Sequence, residues 1–426
     1  MEVKMTAIIT FIIVFGILVI VHEFGHYYAA KKSGILVREF SVGMGPKIVA
    51  YRKNHTTYTL RLLPLGGYVR MAGAQEDDSE IQPGTMASLV LNDNDKVIKI
   101  ITSSKVYDAN AVPVQISKAD LVDDLVIEGY ENGDETVTKK YSVNHDATII
   151  EEDGTEVQIA PRDVQLQSVS VWKRMITNFA GPFNNFVLAI LATILAAFMM
   201  GSVGTGTNQL GGIENNSVAQ KAGLKANDKI LSVNGKKTTS WTSLTESIQN
   251  NPGKKLTLNV QSGNKTKQVK LTPKAVKSSG QSYGMIGIKA KLDSSVLGKI
   301  KYGFTYSWST SLTIFHALGK MVSGGFNINQ LSGPVGIYSM TSKVASTGLI
   351  NIILFTSMLS MNLGIVNLIP IPALDGGKIL LNIVEAIRRK PIPEQYENVI
   401  TLIGVGILVL LMIAVTWNDI QRFFIK

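Results

Sequence analysis

His22, Glu23, Phe24, Gly25 and His26 carry the strongest chemical signal in the chain. They form an HExxH motif, and they close an apolar run from about Met5 to Val21. At 3.6 residues per turn, positions i and i+4 fall on one helical face, so both imidazoles reach a single metal ion. The sequence has no cysteine, so a metal must be held by His, Asp or Glu, and disulfides and a cysteine nucleophile are excluded. Zinc suits that donor set, and Glu23 is placed to take a proton from water that the metal polarises. Ionisable groups in membrane segments are costly and mark functional sites, so the position of the motif points to hydrolysis in or at the edge of a bilayer.

Two histidines leave zinc one short of its usual three protein ligands. The candidate third is Asp375, in the run Asn367-Leu-Ile-Pro-Ile-Pro-Ala-Leu-Asp375-Gly-Gly. That run ends a third apolar stretch, on the same side as His22 and His26. Pro370 and Pro372 break or kink a helix, and Gly376 and Gly377 permit close approach. Irregular backbone at membrane depth is tolerated only where it is buried in protein or lines a watery cavity. The alternative is a helix-ending Asp-Gly turn at the membrane surface. Asn367 is placed to hydrogen-bond a substrate backbone or a tetrahedral oxyanion.

The elements that must position these residues read as a polytopic α-helical membrane protein. Apolar spans are expected at about 5–26, 177–201, 350–373 and 397–417, near the ~20 residues that cross a hydrocarbon core of about 30 Å. A mean hydropathy of +0.18 over 426 residues fits a few spans joined to sizeable soluble parts. Lys31, Lys32, Arg38, Lys47, Arg52 and Lys53 follow the first span, Lys173 and Arg174 precede the second, and Arg388, Arg389 and Lys390 fill the loop before the fourth. Positively charged flanks favour the cytoplasm. The metal motif then lies near the cytoplasmic face of the cell membrane, with both termini and the 203–349 region outside.

The soluble parts differ in character. Thr56–Met71 alternates partly and turns at Pro64–Gly67, which suggests a membrane-associated β-hairpin within 27–75. The net charge of +10 hides an acidic insert: between Glu76 and Asp163 stand 20 acidic and 7 basic residues, leaving +23 for the rest. This insert, 76–172, reads as β-rich, with strands near Lys96–Thr102, Leu125–Gly129 and Ala147–Ile150 and a solvated negative face. Within 203–292, Gly211-Gly212-Ile213, Ala222-Gly223-Leu224, Asp228-Lys229-Ile230 and Val233-Asn234-Gly235 follow in order. The series resembles a PDZ domain, which captures an extended peptide by strand addition; the alternative is a spacer that keeps the fold without binding. Val296–Gly325 suggests an amphipathic segment on the outer membrane surface. No arginine-rich, aromatic-interleaved stretch argues for nucleic acid.

With HEFGH at one span and NLIPIPALDGG at another, the chain resembles the bacterial site-2 proteases, intramembrane zinc metalloproteases of the regulator-of-sigma-E-protease type. Ala180-Gly181-Pro182-Phe183-Asn184-Asn185, Gly43-Met44-Gly45-Pro46 and the Thr56–Met71 hairpin extend the match over nearly the whole chain. It is nearest the Gram-positive branch with one PDZ domain, and departs from the double-PDZ type in that and in the acidic insert. The resemblance implies that His22, His26 and Asp375 bind Zn2+ and that Glu23 is the general base. It implies that Asn367 and Asn185 help hold substrate, and that Thr56, Tyr58, Leu60, Gly66, Gly67 and Tyr68 present it as an extended strand. Gly211, Gly212 and Ile213 would line the PDZ groove. Pairing with a strand edge satisfies backbone groups that unwinding a transmembrane helix frees. Substrates would be single-span membrane proteins, such as anti-sigma factors after a first cleavage, and remnant signal peptides. A membrane-anchored PDZ scaffold with a vestigial metal site is the alternative. A metal transporter is a third reading, without an inverted repeat to support it.

Overall fold

Hydrocarbon offers no partner to a backbone amide, so long apolar runs close their hydrogen bonds internally as helices. The computed structural model describes residues 2–73, 81–134, 136–278, 281–325 and 327–422. Residues 76–80 of the acidic insert and 423–426 of the tail lie outside the described residues. The chain begins with α1 (Glu2–Ser33), β1 (Val37–Lys53) and β2 (Thr56–Met71). Then come β3 (Met86–Leu91), β4 (Val97–Ile101), β5 (Val112–Asp120), β6 (Val126–Glu131), β7 (Thr138–Ile150), β8 (Glu156–Gln158) and α2 (Val171–Met200). The next stretch holds β9 (Val203–Gly204), β10 (Leu210–Ile213), α3 (Val218–Lys221), β11 (Lys229–Val233), β12 (Lys236–Lys237) and α4 (Trp241–Gln249). It continues through β13 (Leu256–Ser262), β14 (Lys265–Leu271), β15 (Lys274–Ser278), β16 (Gln281–Met285), β17 (Ile288–Ala290) and β18 (Leu292–Asp293). Five helices finish the chain: α5 (Val296–Ser323), α6 (Pro334–Ala345), α7 (Leu349–Asn367), α8 (Asp375–Arg388) and α9 (Glu394–Ile420).

Among the described residues, four helices are long and apolar enough to cross a membrane: Met5–Ser33, Val171–Met200, Leu349–Asn367 and Gln395–Ile420. On α1 the side chains of Ile8, Ile9, Ile12, Ile13 and Ile17 are exposed while Ala7, Val14 and Leu18 are buried. Isoleucines facing out, with the smaller Ala7 and Val14 facing in, suit a lipid-exposed helix. The third apolar stretch stops at Asn367, short of the expected 373, and Asp375 opens α8 where the sequence suggested a span end and a loop. Pro370 and Pro372 forbid a continuous helix through this stretch. Val296–Gly325 forms the helix α5, and α6 also falls within the expected linker.

The chain divides into two units, residues 1–189 with 310–426, and residues 190–309. In the first unit, Asn54 (φ 49°) and His55 (φ 64°) make the tight turn between β1 and β2. Residues 56–60 pair with 49–53 on one side and with 39–42 on the other, and 67–71 return along the far side of 39–42. The turn expected at Pro64–Gly67 is thus the second of two at the sheet tip, bending at Gly66 (φ 90°). The acidic insert folds into a sheet of order β4-β3-β5-β6-β7-β8, and the parallel β4–β7 pairing closes it into a barrel. Leu89, Val97, Ile100, Val114, Ile116, Ile127 and Val157 fill its core.

The second unit holds the four-stranded sheet β12-β11-β13-β14 and three two-stranded pairings. Leu210, Leu224, Ile230, Leu244, Leu256, Leu258, Val260 and Ile286 form its core. Ser240 caps α4 in a reciprocal box with Ser243, which satisfies two amides that a helix start leaves open.

Candidate active site

The helical spacing of His22 and His26 sets their Nε2 atoms 3.2 Å apart. Asp375 Oδ2, from the first turn of α8, lies 3.3 Å from His22 Nε2 and 3.4 Å from His26 Nε2. Zinc bonds of about 2.0–2.1 Å at tetrahedral angles require ligand atoms about 3.3–3.4 Å apart. The triangle therefore fits a zinc ion with one coordination position open. Among the described residues it is the group of His, Asp and Glu side chains able to hold a metal.

Asp375 reaches this triangle because the chain before α8 is forced into a tight irregular turn. Ala373 adopts φ 76°, a region that L-residues rarely visit. Gly376 packs on the backbone of Leu368 and Ile369, and Gly377 on that of Ile371 and Pro372, with no space for a Cβ on either. At the other end of α8, Glu385 pairs with Arg174 of α2 at 2.7 Å and accepts the Ile392 amide at 2.8 Å.

Helix α2 holds both imidazoles from behind. His26 Nδ1 donates to the Thr177 carbonyl at 2.8 Å, which leaves Nε2 free to ligate. Asn185 is fully buried, 3.0 Å from His22 Nδ1. With its Nδ2 toward the ring, its Oδ1 has no partner among the described residues. Turning the amide over lets His22 Nδ1 donate to Oδ1, satisfies the buried oxygen and again directs Nε2 to the metal. Ser360 of α7 donates to the Asn185 carbonyl at 2.8 Å. Gly181 lies directly under the His26 ring, where any side chain would collide with it. Thr177, Gly181 and Asn185 are spaced by four, so they form one stripe on α2. That stripe was the sequence signal for these supporting residues.

The other expected residues separate into three groups. Asn367 keeps its amide 3.5 Å from His22 Nε2, next to the triangle. Asn185 sits behind His22 and is fully buried. Thr56, Tyr58 and Leu60 belong to an interior strand segment paired on both sides. The Thr56 hydroxyl donates to the Val37 carbonyl, and Tyr58 and Tyr27 share a hydrogen bond of 2.7 Å. Burial and that bond push the Tyr58 hydroxyl up to about 12. Gly66, Gly67 and Tyr68 lead into the edge segment 67–71 instead. A Cβ on Gly67 would stand 2.9 Å from Val19 Cγ1 and 3.4 Å from Glu23 Cγ. The edge therefore runs across α1 beside the motif carboxylate. Burial, then the Glu39 carboxylate, pushes the Tyr68 hydroxyl up to about 12, so it stays protonated.

Residues 10–411 match the model of peptidase family M50. The chain belongs to that family. It is 50% identical over 422 residues to "Probable protease eep" of Enterococcus faecalis, covering 99% of this chain and 100% of the relative. It is 46% identical over 428 residues to a Streptococcus pneumoniae serotype 4 protein named as a zinc metalloprotease, covering 99% and 100%. A solved PDZ domain of an SdrC-like protein from Listeria monocytogenes aligns at 21% identity over 20% of this chain and 87% of that one, with a TM-score of 0.18. The M50 protein is accordingly a membrane zinc metalloendopeptidase of the site-2 type.

In the second unit, an apolar cavity of about 130 Å³ lies between α4 and residues 284–288. Trp241, Thr245 and Ile248 form its helical wall, and Gly284, Met285, Ile286 and Ile288 its strand wall. Gly211, Gly212 and Ile213 do not line it; they belong to β10, which pairs with β17 at Gly212↔Lys289 and Ile213↔Ile288. The GMIGI run at 284–288 is the sequence feature that marks this groove.

Proposed function

We propose that this M50 protein cleaves the transmembrane segments of single-span membrane proteins, and remnant signal peptides, close to the cytoplasmic face. The observation that carries the reading is the His22–His26–Asp375 triangle standing beside the strand edge at Gly67, which has no second strand partner among the described residues. Zinc held there supplies a Lewis acid that lowers the pKa of water to about 7. Glu23, half-buried beside the edge, receives the proton from the attacking water and returns it to the leaving amide nitrogen. Asn367 donates to the substrate carbonyl oxygen as that oxygen gains charge. The 67–71 edge takes the unwound substrate as an added strand, which supplies partners for the amides that unwinding exposes.

The basic flanks of the spans support an active site on the cytoplasmic side, with the PDZ-like module outside. There the 284–288 groove would admit substrates already shortened by an earlier cut. The test is reconstitution of the full chain with a single-span substrate. Glu23→Gln should keep zinc and lose cleavage by at least about 1000-fold, within the range assigned to a general base with its proton transfer. Asp375→Ala should lower zinc content. Undiminished turnover by Glu23→Gln would sink the mechanism.

A further inference from the structure

The acidic barrel takes no part in the chemistry, and its place against the β1–β2 sheet suggests what it does. Side chains alternate between the two faces of a strand. From the 67–71 edge, Val69 and Met71 pack with Tyr27 and Ala30 of α1. Arg70 points the other way and meets Glu151 of the barrel at 2.7 Å. The same face carries Arg52, 3.4 Å from Glu156, and Lys47, which donates to Thr155 Oγ1 at 3.0 Å. Arg61 binds Glu39 at 2.9 Å and lies 3.9 Å from Asp153. His55 reaches Gln158 at 2.7 Å, Arg38 donates to the Gln158 carbonyl at 2.7 Å, and the Thr57 hydroxyl bonds the Glu156 carbonyl. Each strand segment of the sheet thus contributes at least one polar side chain to the 151–158 hairpin.

Both ends of the insert are tied to the base of the same sheet. Ala72 donates to the Leu36 carbonyl at 2.9 Å, Leu36 to the Val164 carbonyl at 2.9 Å, and Leu166 to the Ala72 carbonyl at 2.8 Å. Leu36, Ala72 and Ala160 form a small buried cluster there. An edge strand that must stay open for an incoming strand is held by a neighbour on one side only. Here its second support comes from below, through the barrel.

We propose that the acidic barrel is a brace that fixes the 67–71 edge relative to Glu23, with Glu151 and Arg70 as its positioning residues. The proposal rests on the reading of that edge as the substrate track. The negative charge of the hairpin is complementary to the basic face of the sheet, and the Arg70–Glu151 pair is half-buried, so salt screens it less than a surface pair.

The test uses the full chain in nanodiscs with a single-span substrate. Glu151→Arg should raise KM by about fivefold or more, near the coupling expected of a close charged pair. Zinc content should stay native and kcat should hold within about twofold. The exchange of substrate-free amides 67–70 should accelerate. Adding Arg70→Glu to that variant restores the pair in reverse and should return both KM and exchange to within about twofold of the starting protein. Unchanged exchange in Glu151→Arg overturns the brace, as does failure of the reversed pair in a variant with native zinc content and melting temperature. Faster exchange with unchanged KM overturns the edge as substrate track while leaving the metal chemistry intact.

Discussion

Two β regions stand side by side in the first unit and treat their edges in opposite ways. The barrel closes β4 onto β7 through Lys99↔Thr148 and Ile101↔Ile150. Closure removes the free row of amides and carbonyls that invites another chain to pair. The β1–β2 sheet keeps such a row at 67–71, and keeps it beside Glu23. A free edge is normally a liability, so its retention next to an HExxH helix is the physical argument for strand addition at that place. The strand left outside the closure, β8, pairs only with β7 among the described residues and turns its Glu156 and Gln158 carbonyls to Thr57 and Arg38 of the sheet, so the barrel's remaining edge serves as support.

Among changes that test this contrast of edges, the largest effect should come from blocking the open edge itself. Gly67→Val would drive a branched side chain toward Val19, Glu23 and the Ser41 carbonyl. Cleavage should fall by about 100-fold or more, as expected when reacting groups are displaced by about 1 Å. Zinc content should remain native, since no ligand contacts Gly67. Turnover within tenfold of the unsubstituted protein, with metal bound, would remove the edge from the mechanism.

Next in size is the support behind the metal, the rigid counterpart of that edge. Asn185→Ala takes away the partner of His22 Nδ1 at a buried site without adding bulk. Loss of such a partner lowers metal affinity by about 10- to 100-fold. Competition with a graded series of chelators measures this directly. Affinity equal to that of the unsubstituted protein would show that His22 needs no orienting bond.

These two sites also mark where sequence reasoning succeeded and where it stopped. HExxH was legible because its geometry is local to one helix. Asp375 was legible because two prolines and two glycines flank a carboxylate that hydrocarbon alone would not tolerate. The partition between interior and edge was not legible. Thr56–Leu60 and Gly67–Met71 show similar alternation and both pair with 39–42; only the further pairing of 56–60 with 49–53 makes one interior and leaves the other at the edge. Asn185 was assigned to substrate by resemblance, because Asn178, Asn184 and Asn185 in one apolar helix carry no sign of which faces where. The four-residue spacing from Thr177 through Gly181 supplies that direction once His22 and His26 are known to need partners. The acidic insert was read as a solvated face, yet Glu151, Asp153 and Glu156 meet arginines and lysines of the sheet. Charge complementarity between segments about 90 residues apart has no local signature.

A smaller effect sharpens the barrel side of the comparison. Ile116 is fully buried in the closed core, and Ile116→Val removes one methylene there. The expected cost is about 0.5–1.5 kcal/mol of barrel stability. Hydrogen exchange should show it in β5 and its neighbours, with zinc affinity and kcat unchanged. A fall in zinc affinity would mean that the barrel does more than brace the sheet.

The smallest effect is a pH dependence at His145 of β7. His145 hydrogen-bonds Asp146 at 3.0 Å and Asp163 at 3.1 Å, and these carboxylates hold its pKa above the usual histidine value. A group whose folded pKa is raised contributes fully below its unfolded pKa, about 6.5, and loses that contribution as pH climbs through the folded value. Asp146 behaves in the opposite sense: His145 lowers its pKa, so its contribution is lost as acid is added below about 4. The pair therefore stabilises the barrel most between roughly pH 4 and 6.5. His145 is 44% exposed, so solvent screening confines the effect to about 0.5 kcal/mol or less. His145→Gln should lower barrel protection against exchange at pH 5.5 and leave it unchanged at pH 8.5. An equal loss at both pH values would assign the role of His145 to packing rather than charge. The zinc content of His145→Gln should match that of the unsubstituted protein at each pH, because His145 is not among the metal-holding residues.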